Sequence, residues 1–167
     1  AVGNTLAVAL AGFIALKIGY KQLIVTSFCL LSVSLAGLIF AHNYWMFGAL
    51  LFLTGIFSGI YLPCAVPIIT TAFEREHWGK ALAFHETAAG FSFLSVPFII
   101  AFLLGLVPWR IIFCLTAIAI ILITLTFWVS APTPQAEEKK KVRNDTIIKR
   151  PEFWIIALIW IVCAIAS

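Results

Sequence analysis

The chain has 167 residues, 63% hydrophobic and 11% charged, with a mean hydropathy of +1.10 and a net charge of +4. Soluble domains carry about 25% charged residues, so there is too little polar side chain here to cover a water-facing surface. The basic excess sits in short polar gaps without the aromatic or glycine-rich surroundings of a nucleic-acid site, which excludes nucleic acid as a partner and points to membrane lipid headgroups.

In chain order, residues 1–16 are apolar but shorter than the roughly 20 residues that cross about 30 Å of hydrocarbon. The stretch begins without Met and reads as the tail of a longer helix. Four complete spans are predicted next, over 23–41, 45 to about 73, 81 to about 107 and 111 to about 129. Residues 130–152 are rich in Pro, Gln, Glu, Lys and Arg and read as a solvated linker, and 153–167 as the apolar start of another bundle. The expected organisation is therefore a transmembrane bundle over 1–129 lacking its first helix, a linker over 130–152, and the beginning of a C-terminal bundle from 153. The fold class is all-α, a polytopic transmembrane helix bundle. A β-barrel is excluded, because barrels need stretches of about ten residues with alternating polarity.

Ten of the eleven Lys and Arg residues fall in alternate gaps, at Lys17/Lys21, Arg75/Lys80 and 139–150, whereas the other two gaps hold only Arg110. If every run crosses the bilayer, the three basic gaps share one side, and the excess of Lys and Arg assigns that side to the cytoplasm. The opposite gaps, His42-Asn43-Tyr44 and 105–109, are tight turns that place Tyr44, Trp45 and Trp109 as headgroup-level anchors. The cell membrane is the expected location.

The spans differ in character. Those over 23–41 and 111–129 are dominated by Leu, Ile, Val and Phe and read as straight helices able to face lipid. The span from Trp45 holds Gly48, Gly55, Gly59, Pro63 and Pro67, and the next holds His85, Glu86, Gly90 and Pro97. Gly55 and Gly59 lie four apart on one helix face, a spacing that lets two backbones approach in lipid. Pro63, Pro67 and Pro97 each remove an internal hydrogen bond, which bends a helix or leaves a static kink. Cys29, Cys64, Cys114 and Cys163 lie within apolar runs without metal-ligand spacing and read as small packing residues. Neither a metal nor a cofactor is expected.

In their order, these features resemble the major facilitator superfamily of secondary transporters. The run Gly12-Phe13-Ile14-Ala15-Leu16-Lys17-Ile18-Gly19-Tyr20-Lys21 is similar to that family's loop between its second and third helices, with Leu16 at the usual acidic position. Gly55, Gly59 and Pro63 resemble the spacing of the fourth helix, with Leu51 where an arginine is frequent. Gly79-Lys80-Ala81 is similar to the start of the fifth helix, Val96-Pro97 to its Gly-Pro, and Trp109-Arg110 to the outer start of the sixth. Pro132-Thr133-Pro134 and the charged stretch after it resemble the connection between two six-helix halves, with Lys149 to Trp154 opening the seventh helix. The resemblance implies alternating access about a site near the bilayer midplane. It also makes Gly12, Lys17, Gly19 and Lys21 a cytoplasmic gating loop, and Leu16 removes the acid with which such a loop pairs.

The sharpest candidate for a transport or coupling site is Glu86, with His85 beside it. An ionisable group within a span is costly and normally faces the bundle interior or water. Glu86 lies six residues beyond Lys80, about 9 Å along a helix, and consecutive side chains point about 100° apart. A structural bond to a neighbouring helix and a role with a proton as coupling ion are both open. The functional expectation is secondary active transport of a small solute, the alternative a non-transporting membrane sensor or scaffold. No catalytic residue set lies in the spans, and an enzyme is not expected.

Overall fold

The computed structural model describes residues 2–131, all of whose regular structure is helical. The predicted linker beyond Ala131, the residues from Phe153 onward and Cys163 lie outside the described residues. Six helices run in order: α1 (Val2–Ile18), α2 (Tyr20–Gly37), α3 (Tyr44–Gly59), α4 (Tyr61–Ala72), α5 (Trp78–Leu104) and α6 (Trp109–Ser130). A 3₁₀ turn over Leu38–Phe40 finishes α2, and another over Arg75–His77 leads into α5.

Four segments are long and apolar enough to cross a bilayer, Tyr20–Phe40, Tyr44–Ala72, Arg75–Leu104 and Trp109–Ser130, and α1 is a shorter apolar helix. They are the four spans read from the sequence, each beginning one to six residues earlier than predicted. The extra residues include Tyr20, Lys21, Trp78, Lys80, Trp109 and Arg110, aromatic or basic positions whose backbone is already helical.

The helix ends follow local chemistry. Between α1 and α2 only Gly19 leaves helical geometry, at φ 95° and ψ 146°, a conformation essentially confined to glycine. The Asn43 carboxamide oxygen accepts from the Met46 amide at 2.7 Å and caps α3. At the far end of that span, the Trp78 indole donates to the Phe73 carbonyl at 2.9 Å.

α2 is the central helix, packed against α1, α3, α4 and α6. Leu23, Ile24, Ser27, Leu31, Ser32, Ser34 and Leu35 are all buried. The expectation of a lipid-facing helix is therefore corrected for this face. Its serines can enter the interior because their hydroxyls bond to their own helix: Ser27 to Ile24, Ser32 to Phe28 and Ser34 to Leu30, each at 2.9 Å. Phe28 joins the two buried clusters, one built from α1, α2 and α4 and the other from α2 and α6. By contrast, α5 has no fully buried residue within the described chain. Of the cysteines, Cys64 is buried, Cys114 half-buried and Cys29 exposed, so the reading as buried packing residues does not hold for Cys29.

α1 and α3 meet along small residues. Gly3, Ala7, Ala11 and Ala15 form a buried stripe at four-residue spacing, and the stripe faces Gly55 and Gly59. A Cβ at Gly59 would sit 2.6 Å from Asn4 Oδ1 and 2.7 Å from the Asn4 carbonyl oxygen, and one at Gly3 would sit 2.5 Å from the Phe52 carbonyl oxygen. Lipid tails are as apolar as leucine, so such backbone approach supplies the packing that holds membrane helices together.

In the full-length protein in detergent, Gly59→Ala is expected to lower stability by about 1–3 kcal/mol, because backbone must shift to admit the methyl group. Gly48→Ala, where nothing lies within 4 Å of the added atom, serves as the control and leaves the thermal unfolding midpoint unchanged or raised. Equal midpoints for the two variants would show that the seam tolerates a wider spacing.

Candidate functional site

Pro63 has no amide hydrogen to return to the Gly59 carbonyl, so one helical hydrogen bond is missing where α3 meets α4 at Ile60, whose backbone keeps helical dihedrals of φ −69° and ψ −25°. Pro67 lies within α4 and Pro97 within α5, and both helices continue through them. Tyr61 is the first residue after this junction. Its hydroxyl lies 3.0 Å from His85 Nε2, and its ring stacks on the imidazole with centroids 5.8 Å apart and planes at 28°. Phe28 of α2 also stacks on the Tyr61 ring, with centroids 5.5 Å apart and planes at 27°.

His85 and Glu86, sequence neighbours on α5, approach more closely than a 100° step requires. His85 Nδ1 is 3.4 Å from Glu86 Oε1, within ion-pair distance but without hydrogen-bond alignment, so the buried Nδ1 atom has no formal hydrogen-bond partner. The two side chains see different surroundings, His85 being 18% and Glu86 66% exposed. Phe28, Tyr61, His85 and Glu86 thus run from the centre of the bundle to its surface. This row contains a hydroxyl that donates or accepts, an imidazole that changes charge near neutrality in general, and a carboxylate that accepts. Among the described residues no group of three or more His, Cys, Asp or Glu is placed to hold a metal.

The loop residues separate. Gly12 lies in open space and Lys17 is exposed, whereas Lys21 is partly buried. The Lys21 ammonium donates to the Ala131 carbonyl at 2.6 Å and lies 5.5 Å from the centroid of the Trp128 ring. It therefore binds the C-terminal end of α6, where unpaired carbonyls and the helix dipole favour a cation. Among the described residues His85–Glu86 is the only acid–base pair within ion-pair distance; Glu74 and Glu76 have no cation within that range. At the opposite end of the bundle, the Arg110 guanidinium lies 4.5 Å from the Trp109 ring centroid, and Trp109 makes edge contacts with Phe47 and Phe113 at 6.1 and 5.8 Å. An open cavity of about 320 Å³ is lined there by His42, Tyr44, Phe47, Trp109 and Arg110 among others.

Tyr61, Phe28, Trp128 and Asn4 were not singled out by the sequence reading. A tyrosine two residues before a proline inside an apolar span is a usable signal, since a buried phenol normally finds a partner. The four-residue spacing of Gly3, Ala7, Ala11 and Ala15 is another.

The family model of the Major Facilitator Superfamily matches residues 1–167. The chain belongs to the Major Facilitator Superfamily. Its similarity extends to protein TsgA of Escherichia coli O17:K52:H18 (strain UMN026 / ExPEC) and of Escherichia coli O7:K1 (strain IAI39 / ExPEC), each 28% identical over 136 residues, 80% of this chain and 34% of that protein. TsgA of Escherichia coli O1:K1 / APEC is 27% identical over the same length. The chain spans about a third of the length of these curated relatives. No solved structure matches it. As a member of this superfamily with four apolar spans, the protein is an integral membrane protein with a partial major-facilitator-type helical fold.

The Lys21 contact is open to a double-mutant cycle. Lys21→Met and Trp128→Leu are each expected to destabilise the full-length protein, with a coupling of about 0.5–1 kcal/mol between them, the range of an exposed cation–π pair. Thermal unfolding midpoints that simply add would show that the ammonium and the indole do not interact.

Proposed function

We propose that the protein carrying this chain moves a small solute across the membrane by alternating access, with a proton as coupling ion and Glu86 and His85 as the coupling groups. The observation that carries the reading is the Tyr61–His85–Glu86 row beside the α3–α4 junction at Ile60. Superfamily membership supports transport as the class of activity. A helix lacking the hydrogen bond that Pro63 cannot make bends more readily there, and this position adjoins an ionisable pair whose charge changes with one proton.

In this reading the ends carrying Lys17, Lys21, Arg75 and Lys80 are cytoplasmic, by the positive-inside rule. Lys21 holds the α1–α2 turn to the end of α6, so the gating loop is anchored within its own bundle at that point. Gly12 and Lys17 remain exposed and available to a partner across the cytoplasmic face. The Glu86 carboxylate, largely exposed in the bundle, presents its charge to whatever enters beside α5.

The test uses the full-length protein in proteoliposomes. Candidate solutes are expected to undergo counterflow, and an imposed proton gradient to drive accumulation above equilibrium. Glu86→Gln should reduce accumulation to simple equilibration while counterflow persists. Unchanged uptake and pH dependence in that variant would remove Glu86 from coupling; absence of any solute movement by correctly folded protein would favour a sensor or scaffold.

A further inference from the structure

We propose that the open cavity beside Arg110 is a binding site for a phospholipid, whose phosphodiester is held by the Arg110 guanidinium. The proposal concerns the end of the bundle opposite Lys21 and does not rest on the transport reading.

The cavity, of about 320 Å³, lies where two of the spans begin, Tyr44–Ala72 and Trp109–Ser130. Span ends meet the headgroup layer, and Tyr44 and Trp45 are 81% and 82% exposed here, as aromatic residues that anchor at that level are. The wall is mixed. Ala41, Phe47 and Trp109 are apolar in body, while His42, Asn43 and Arg110 bring nitrogen donors. The Asn43 carboxamide oxygen accepts from the Met46 amide, and its NH₂ group is left to donate.

Charge decides what such a set takes. α6 meets a cation at each end. At its C-terminal end the Lys21 ammonium donates to the Ala131 carbonyl, a partner that the helix end itself supplies. Arg110 is instead the second residue of α6, where a helix presents N–H groups rather than carbonyls and disfavours a positive charge. No Asp or Glu occurs over residues 37–47 or 105–113, and among the described residues no carboxylate lies within ion-pair distance of Arg110. The guanidinium stays charged, and it lies 4.5 Å from the centroid of the Trp109 ring, which Phe47 and Phe113 hold by edge contacts. Contact with a ring uses the face of the guanidinium and leaves its in-plane N–H groups to an anion's oxygens.

The complement of this set is a negative group that only accepts hydrogen bonds, joined to an apolar body. A phospholipid has both parts at this depth. Its unesterified phosphate oxygens suit Arg110 and Asn43, and its glycerol and acyl chains continue past Phe47 toward the hydrocarbon. Inorganic phosphate brings the charge without the apolar part, and diacylglycerol the apolar part without the charge.

The experiment is fluorine NMR of the full-length protein labelled with 5-fluorotryptophan in a phosphorus-free detergent, the Trp109 signal being identified by its loss in Trp109→Phe. Dioleoylphosphatidylglycerol is expected to shift that signal to saturation, whereas dioleoylglycerol or inorganic phosphate alone leaves it in place. Arg110→Gln, checked for folding by gel filtration, should raise the lipid concentration at half-shift by at least about tenfold, the lower range of a hydrogen bond to a charged group. An equal shift from dioleoylglycerol would show that chain partition suffices and would overturn the proposal. A shift from inorganic phosphate alone would make this a free-anion site and overturn the assignment to lipid. An unchanged half-point in folded Arg110→Gln would remove the guanidinium from the site. Should that variant fail to fold, the comparison of the three probes on the parent decides, since the Trp109 signal reports this cavity alone. No solute or gradient enters the measurement, so failure of the transport reading leaves its outcome untouched.

Discussion

Close backbone approach between α1 and α3 is the constraint on which the arrangement of this bundle depends. In lipid there is no water to expel between helices, so contact must come from dispersion and from polar groups that bond internally. Gly59 lies against Asn4 and Ala7 with no room for a methyl group, which locks the C-terminal end of α3 against α1. The carbonyl of that same residue is the one that Pro63 cannot serve. The missing hydrogen bond therefore lies where the helix is held tightly against α1, and Tyr61, two residues on, meets α5 rather than the α1–α3 seam.

A backbone carbonyl without its helical partner is expensive in hydrocarbon unless it is shielded by protein or finds another partner. Ile60 is buried, with Cys64, Ala65 and Ile68 on the following turns, so the α3–α4 junction sits inside the bundle. Elsewhere hydroxyls perform a comparable economy on their own helices. Ser27, Ser32, Ser34 and Thr124 are buried, and each bonds to a carbonyl three or four residues earlier. Polar residues on α2 are therefore compatible with its central position: they supply small volume without asking a neighbouring helix for a partner. The Tyr61 hydroxyl, by contrast, reaches across to another helix and meets the ionisable pair.

The sequence was legible where a residue's effect is local or periodic. Apolar length located four spans. Helix ends lie a few residues before the apolar runs because the aromatic and basic residues there are already helical. The central place of α2 was not legible from its Leu, Ile, Val and Phe content, which is common to lipid-facing and buried helices alike; its serines were the discriminating residues. The meeting of Tyr61 with His85 was hidden for another reason. They are 24 positions apart on different helices, and their distance depends on how α4 packs against α5, which proline spacing does not give. Lys21 illustrates the same limit. Its motif suggested a gate, whereas its distance to Ala131 depends on how α2 packs on α6.

These contacts divide the bundle into parts with different freedom. α1 and α3 are joined by backbone, and α2 is enclosed by four helices, so both resist relative movement over small distances. α6 is tied to the α1–α2 turn through Lys21 and Trp128. α5 has no fully buried side chain among the described residues and touches the remainder chiefly through α4, α6 and the turn that precedes it. Two polar contacts join α5 to α4, the Trp78 indole to the Phe73 carbonyl at its end and the Tyr61 hydroxyl to His85 at its start. Of these, the Tyr61 contact leads inward, since the Tyr61 ring also stacks on Phe28 of the central helix, and so it ties the His85–Glu86 pair to the most enclosed part of the bundle.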